Sequence, residues 1–148
     1  MREDPHESAA EIAASIDLEG LRSLFADADV RYAVVFGSHA AGTESPTSDI
    51  DLGVRFAEGC SRRERFRQRN RIDAESQSYA APFVDVSDIE ALPETVALNA
   101  LRNGICIYGD TETRAADERR LERRVEASSD RRERQRQEFI DRLAEGDV

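Results

Sequence analysis

The sequence predicts a single α/β (α+β) domain: a small mixed β-sheet flanked by helices, followed by a charged helical extension. Short runs rich in β-branched residues alternate with segments of helical periodicity along the first two thirds of the chain. Past Gly109 the composition shifts to a long charged stretch with few apolar residues. With 148 residues, 39% hydrophobic and 6% aromatic and no Trp, the chain supports one modest aliphatic core, so one domain with a polar extension is the economical reading. The expected boundaries are a flexible lead-in at 1–16, the folded domain at 17–110 and the charged helix at 111–148.

Residues 1–15 are polar and small, with Pro5, and read as a loose lead-in or frayed helix. Asp17 can cap a helix whose Leu18, Leu21, Leu24 and Phe25 recur at helical spacing and which ends near 27–29. VRYAVVF at 30–36 runs straight into Gly37, the pattern of a buried strand closed by a tight turn. Ser38 to Ala41 can open a short helix, and 42–48, with Thr, Ser and Pro, reads as a loop. DIDLGVRF at 49–56 alternates as a second strand, with Ile50 and Leu52 facing the core and Asp49 and Asp51 sharing the other face.

The segment 61–79 is a polar helix candidate in which six Arg oppose Glu64, Asp73 and Glu75, a local charge of +3 inside a chain of -10. That face is either simply solvated or a surface for an acidic partner or nucleotide phosphates. FVDVSDI at 83–89 is a third strand with Asp85 interrupting it, and Asp88 suits a strand end or helix start. Pro93 opens a helix to Asn103 with Leu92, Val96, Ala97, Ala100 and Leu101 on one side and Gly104 as its stop. ICIY at 105–108 makes a last short strand, with Cys106 as a small buried hydrophobe. From Glu112 onward ten Arg face eleven Asp and Glu, as in an exposed helix laced with paired charges. Its apolar residues form two sparse patches, Leu121 with Val125 and Phe139 with Ile140 and Leu143, which fits a helix that packs in part or docks a partner.

All 21 basic residues are Arg, against 31 acidic ones. A lysine-free, acidic surface suits solubility in concentrated salt, so a halophilic, GC-rich source is expected. Non-specific nucleic-acid binding is disfavoured, since it rests on basic residues neutralising phosphates. Cys60 and Cys106 lie in no metal-ligand spacing and make no disulfide framework. No apolar run is long enough to span a membrane and the N-terminus lacks the core of a signal peptide, so a cytoplasmic protein is expected.

Three carboxylates fall on adjacent strand candidates: Asp49 and Asp51 on one, Asp85 on the next. Clustered acids repel unless a cation compensates, so the set makes physical sense as a magnesium site. At the end of the preceding strand, Gly37 and Ser38 form a glycine turn that can present N–H groups, and the Ser38 hydroxyl, to an anion. Ser48 either bonds its own backbone or touches a phosphate, and His39 beside Ser38 is a surface residue or a phosphate contact. Phosphate cradle and metal carboxylates in one unit point to phosphoryl or nucleotidyl transfer, with the third carboxylate holding a second metal or taking the acceptor's proton. No competing nucleophile set exists, because neither Cys lies near a His in sequence and His6 and His39 are isolated.

Gly37-Ser38, ten intervening residues, Asp49-Ile50-Asp51 and a later Asp85 resemble the DNA polymerase β-like nucleotidyltransferase superfamily. More narrowly, the chain resembles the minimal nucleotidyltransferase (MNT) proteins that act as antitoxins beside HEPN-domain ribonuclease toxins. The resemblance covers roughly 18–110, including ALNALRNGICIYGD. It implies a nucleotidyltransferase fold, magnesium on Asp49, Asp51 and Asp85, the triphosphate of ATP held by Gly37 and Ser38, and AMP transfer to a tyrosine hydroxyl of a cognate HEPN toxin, silencing it. Ala41 departs from the pattern, standing where many relatives carry Arg. Two alternatives stay open: an antitoxin that masks its partner sterically over a vestigial site, and a small-molecule nucleotidyltransferase of the antibiotic-modifying kind.

Overall fold

The computed structural model describes residues 15–37 and 49–146. Ser38, His39, Ala41 and Ser48, with the expected short helix and loop between them, lie outside the described residues, as does the lead-in to residue 14.

Helix α1 spans Leu18–Asp27, and the Asp17 carboxylate accepts the Gly20 N–H at 3.1 Å to cap it. It buries Leu21, Leu24 and Phe25, as their helical spacing requires. The core reaches Ile16, within the expected lead-in. Ile16 is buried and pairs with Ala80, and Asp17 N–H donates to Tyr79 O at 2.7 Å. One isoleucine in a polar stretch carries no periodicity, which is why the sequence did not place it in the core.

Strands β1, Val30–Phe36, and β2, Ile50–Phe56, pair antiparallel. Helix α2, Arg62–Ser76, then crosses over to β3, Val84–Asp88, which lies parallel to β2. Helix α3, Glu94–Asn103, leads to β4, Ile105–Gly109, antiparallel to β1, and the sheet order is β3-β2-β1-β4. Helix α4, Thr111–Ala144, follows as a single rod of 34 residues. Short 3₁₀ turns at Gln77–Tyr79 and Ile89–Ala91 flank β3. Among the described residues no helix is long and apolar enough to cross a membrane.

The sheet sits between two helical layers. On one face Ile50, Leu52, Val54 and Phe56 of β2 and Val84 and Val86 of β3 pack with Leu21, Phe25 and Ile72 from α1 and α2. On the other, Tyr32 and Val34 meet Ile89, Ala97, Leu98, Ala100, Leu101 and Leu121. Val96, expected on the apolar side of α3, is 42% exposed, and Leu98 is buried instead. Both are apolar, and only the rotation of α3 against the sheet decides which one is covered. Gly104 ends α3 as expected, but with φ at -79 rather than in the left-handed region. A side chain there would collide with the Ala100 carbonyl, so the chain uses the close approach. Cys106 is half-buried rather than fully covered, and its thiol donates to Tyr108 O at 3.4 Å.

The outer edge of β3 is closed by α2 and the turn that follows it. Gln77 takes the Val84 N–H at 2.9 Å and donates to the Val84 carbonyl at 2.7 Å. Asp73 accepts from Val86 N at 3.4 Å, and Arg69 Nε donates to Val86 O at 2.8 Å. These side chains supply the bonds that a further strand would make, and so block edge-to-edge pairing there.

Candidate active site

Strand periodicity and sheet register together assemble the carboxylates. In β2 the even-numbered apolar residues turn to the α1–α2 side, so Asp51 faces the other way. Asp85 lies beside Asp51 in the parallel register, and Phe36, the last residue of β1, lies opposite Asp51 on the other side. Asp49, two residues before Asp51, is exposed, as is Asp85, whereas Asp51 is half-buried. Among the described residues, α3 and α4 cover the far end of this face, and Asp49 and Asp85 are exposed at the other.

Gly37 follows β1 with φ at +74, a conformation that costs an L-residue with a side chain. A Cβ at Gly37 would run into the Asp51 carboxylate. The glycine turn and the first strand carboxylate are therefore in direct contact, and only a residue without a side chain allows both. The structure thus brings Gly37, Asp51 and Asp85 into one row across three strands, with Asp49 at its open margin.

Hard carboxylate oxygens suit magnesium, which is commonly held by one or two carboxylates together with substrate phosphates rather than by an all-protein cage. Among the described residues no group of three His, Cys, Asp or Glu side chains converges to ligand spacing. The donor chemistry fits a cation that shares its coordination with a bound phosphate.

At the covered end of the same face lies a polar network that the sequence did not reveal. Asp117, from α4, accepts from the Tyr32 hydroxyl at 2.8 Å and from Arg55 Nε at 3.2 Å, and pairs with Arg120 at 3.1 Å. Arg55 also pairs with Glu90 at 2.8 Å and donates to the Phe56 carbonyl. Burial first, then the hydrogen bond to Asp117 and its charge, push the Tyr32 hydroxyl far above its ordinary value of 10.0. Tyr32 thus stays a neutral donor. Glu90 continues the chain of pairs to Arg65 at 3.7 Å, which holds Asp88 at 3.0 Å. Asp88 ends β3 and caps the next turn through the Glu90 N–H at 3.0 Å. The one sequence signal for the network was polarity at Arg55 inside an apolar strand.

The arginine-rich α2 borders this region. Its Arg62, Arg65 and Arg69 line a groove of about 650 Å³ along the outer edge of β3, together with Phe66, Asp85 and Leu92.

No curated protein matches the chain in a sequence comparison. Several solved structures share its fold. A chain from a toxin–antitoxin complex with AMP-PNP aligns over 87% of this chain and 99% of its own, with a TM-score of 0.59 and 18% identity. One from a tri-AMPylated Shewanella oneidensis HEPN toxin in complex with its MNT antitoxin aligns over 86% and 95%, at a TM-score of 0.53 and 16% identity. A chain of the MntA-HepT toxin–antitoxin complex covers 86% and 96%, at 0.52 and 16%. At these identities the likeness is one of fold. The model of the polymerase beta nucleotidyltransferase family matches residues 19–113, which takes in all four strands, the glycine turn and the three aspartates. The chain belongs to the polymerase beta nucleotidyltransferase family.

Proposed function

We propose that the protein is an antitoxin that transfers AMP from ATP to a tyrosine hydroxyl of a cognate HEPN toxin. The observation that carries this reading is the contact between the bare Cα of Gly37 and the Asp51 carboxylate, with Asp85 alongside in register. A phosphate on the glycine turn would meet the Asp51 carboxylate with no side chain of residue 37 between them. Family membership supports the transferase chemistry, and the fold likeness to chains of MNT–HEPN complexes supports the partner.

In this reading Asp49, Asp51 and Asp85 hold magnesium, while Gly37, with Ser38 and Ser48, holds the triphosphate. Magnesium bound there would supply charge neutralisation on the phosphate oxygens. The acceptor hydroxyl oxygen forms a bond to the α-phosphorus as the bond to the β-phosphate oxygen breaks, and pyrophosphate leaves with that electron pair. Asp85, exposed at the margin of the row, takes the hydroxyl proton.

The test is incubation with the cognate toxin and ATP labelled at the α-phosphate. The wild type should label the toxin, and Asp49→Asn should reduce labelling to background. Absence of label with the wild type, or equal label with Asp49→Asn, would sink the reading.

A second reading, neutralisation by steric binding alone, is favoured by the distal part of α4, where Phe139, Ile140 and Leu143 are 51%, 45% and 46% exposed. An Asp49→Asn/Asp51→Asn protein that still protects cells from the toxin would establish it.

A further inference from the structure

The groove along α2 adjoins Asp85, yet the phosphate and metal roles above leave it unused. Its position is set by the order of the strands. Gly37 follows β1, Asp51 lies on the neighbouring β2, Asp85 on β3 beyond it, and the groove runs along the outer edge of β3. In an in-line displacement the attacking and leaving oxygens stand on opposite sides of the phosphorus. If the departing phosphates lie on the Gly37 side, the attacking hydroxyl arrives from the β3 side, where the groove opens.

Its chemistry narrows what can lie there. Arg62, Phe66 and Arg69 fall at successive helical turns on one face of α2. Arg69 is anchored to the Val86 carbonyl and paired with Asp73 at 3.6 Å, and Arg65 is neutralised by Asp88 and Glu90. Arg62 has no ion pair among the described residues and is exposed at the mouth. Phe66 is 65% exposed between them, and Leu92 lines the groove with it. The groove lining balances Arg62, Arg65 and Arg69 against Asp85, Asp88 and Glu90, and among the described residues Arg62 is the lining arginine with no carboxylate partner, standing on the same helix face as the exposed Phe66 ring. Resting on the transferase reading, we propose that this groove seats the acceptor polypeptide through an acidic segment bearing an aromatic residue, and delivers its hydroxyl to Asp85. A carboxylate of the segment pairs with Arg62, and its aromatic ring packs on Phe66.

The experiment uses the full chain and a fluorescent random copolymer of Glu and Tyr, with a Lys–Tyr copolymer and a single-stranded oligo(U) as comparisons. Binding is read by anisotropy at low and high salt. The probe variant is Arg62→Glu/Phe66→Ala. Both side chains are exposed, Glu in the first turn suits the helix dipole, and Ala favours helix, so circular dichroism and thermal midpoint should match the wild type. The Glu–Tyr copolymer should bind in a salt-sensitive manner, the double variant should lose about tenfold or more in affinity, and Asp49→Asn should keep it. With the cognate toxin as acceptor, the double variant should raise KM for the toxin and leave KM for ATP unchanged. Equal copolymer binding by the double variant would overturn the proposal. So would preferential binding of the Lys–Tyr copolymer, or tighter binding of oligo(U) that Arg62→Glu abolishes. Copolymer binding through the groove without any label transfer by the wild type would count against AMP transfer while still supporting the groove.

Discussion

At Gly37 a single missing Cβ joins two parts of the site. The residue has φ at +74 and its α-carbon abuts the Asp51 carboxylate. Gly37→Ala therefore meets both backbone strain and a collision, and the cheapest relief is displacement of Asp51. The expected result is a drop in transfer of about 100-fold from misplacing a reacting-site group by about 1 Å, with the thermal midpoint lowered only by the roughly 1 kcal/mol of left-handed strain, because the turn buries no core residue. Transfer assays beside thermal unfolding check this, and an active Gly37→Ala protein would show that the contact does not matter. The residues forming this junction were legible in the sequence, since the glycine ends an apolar run and the aspartates alternate with core residues. Asp85 was legible as a strand residue, but its place beside Asp51 depends on register, which no local pattern in either strand specifies.

Among the elements, α4 departs most from a simple reading of its composition. Its charged sequence reads as an appendage to a domain ending near 110, yet its first turns belong to the core, burying Asp117 and Leu121. Its start is fixed by Asp110, whose carboxylate accepts from Glu112 N at 3.0 Å, Thr113 N at 3.3 Å and the Thr113 hydroxyl at 2.6 Å. The Thr113 hydroxyl above all, then the backbone N–H groups and the Arg31 charge, hold Asp110 below its ordinary 3.8. A depressed folded value means stabilisation that is present above 3.8 and lost as pH falls through the folded value. Asn also caps helices but does not titrate in this range. The wild type should therefore exceed Asp110→Asn in urea midpoint near neutral pH, with the difference vanishing in acid below the ordinary carboxylate value. A difference independent of pH would show that the charge contributes nothing. The helix itself, like the four strands and three other helices of the described residues, followed from periodicity and caps to within a few residues, because those signals are local. Val96 and Leu98 were exchanged because the packing angle of α3 is not.

Over the whole molecule, Tyr32 from β1, Arg55 from β2 and Asp117 from α4 are tied in a buried network that reaches solvent at Glu90, from the turn after β3. Asp117→Ala should cost about 3 kcal/mol in urea unfolding, because it strands the Tyr32 hydroxyl and removes one partner of a buried cation. A loss under about 1 kcal/mol would mean that Glu90 alone satisfies Arg55. Nothing in the sequence joined these four residues, which lie up to 85 positions apart. The sequence by itself determined the elements and the apolar face of each strand, and offered Gly37, Asp49, Asp51 and Asp85 as the candidate site, since alternation, caps and turn residues act over a few neighbours. The tertiary structure alone decided the register that sets Asp85 beside Asp51, the burial of Ile16 and Asp117, and the arginine groove at the edge of β3. Those depend on how whole elements pack, where burial and long-range pairing outweigh local preference.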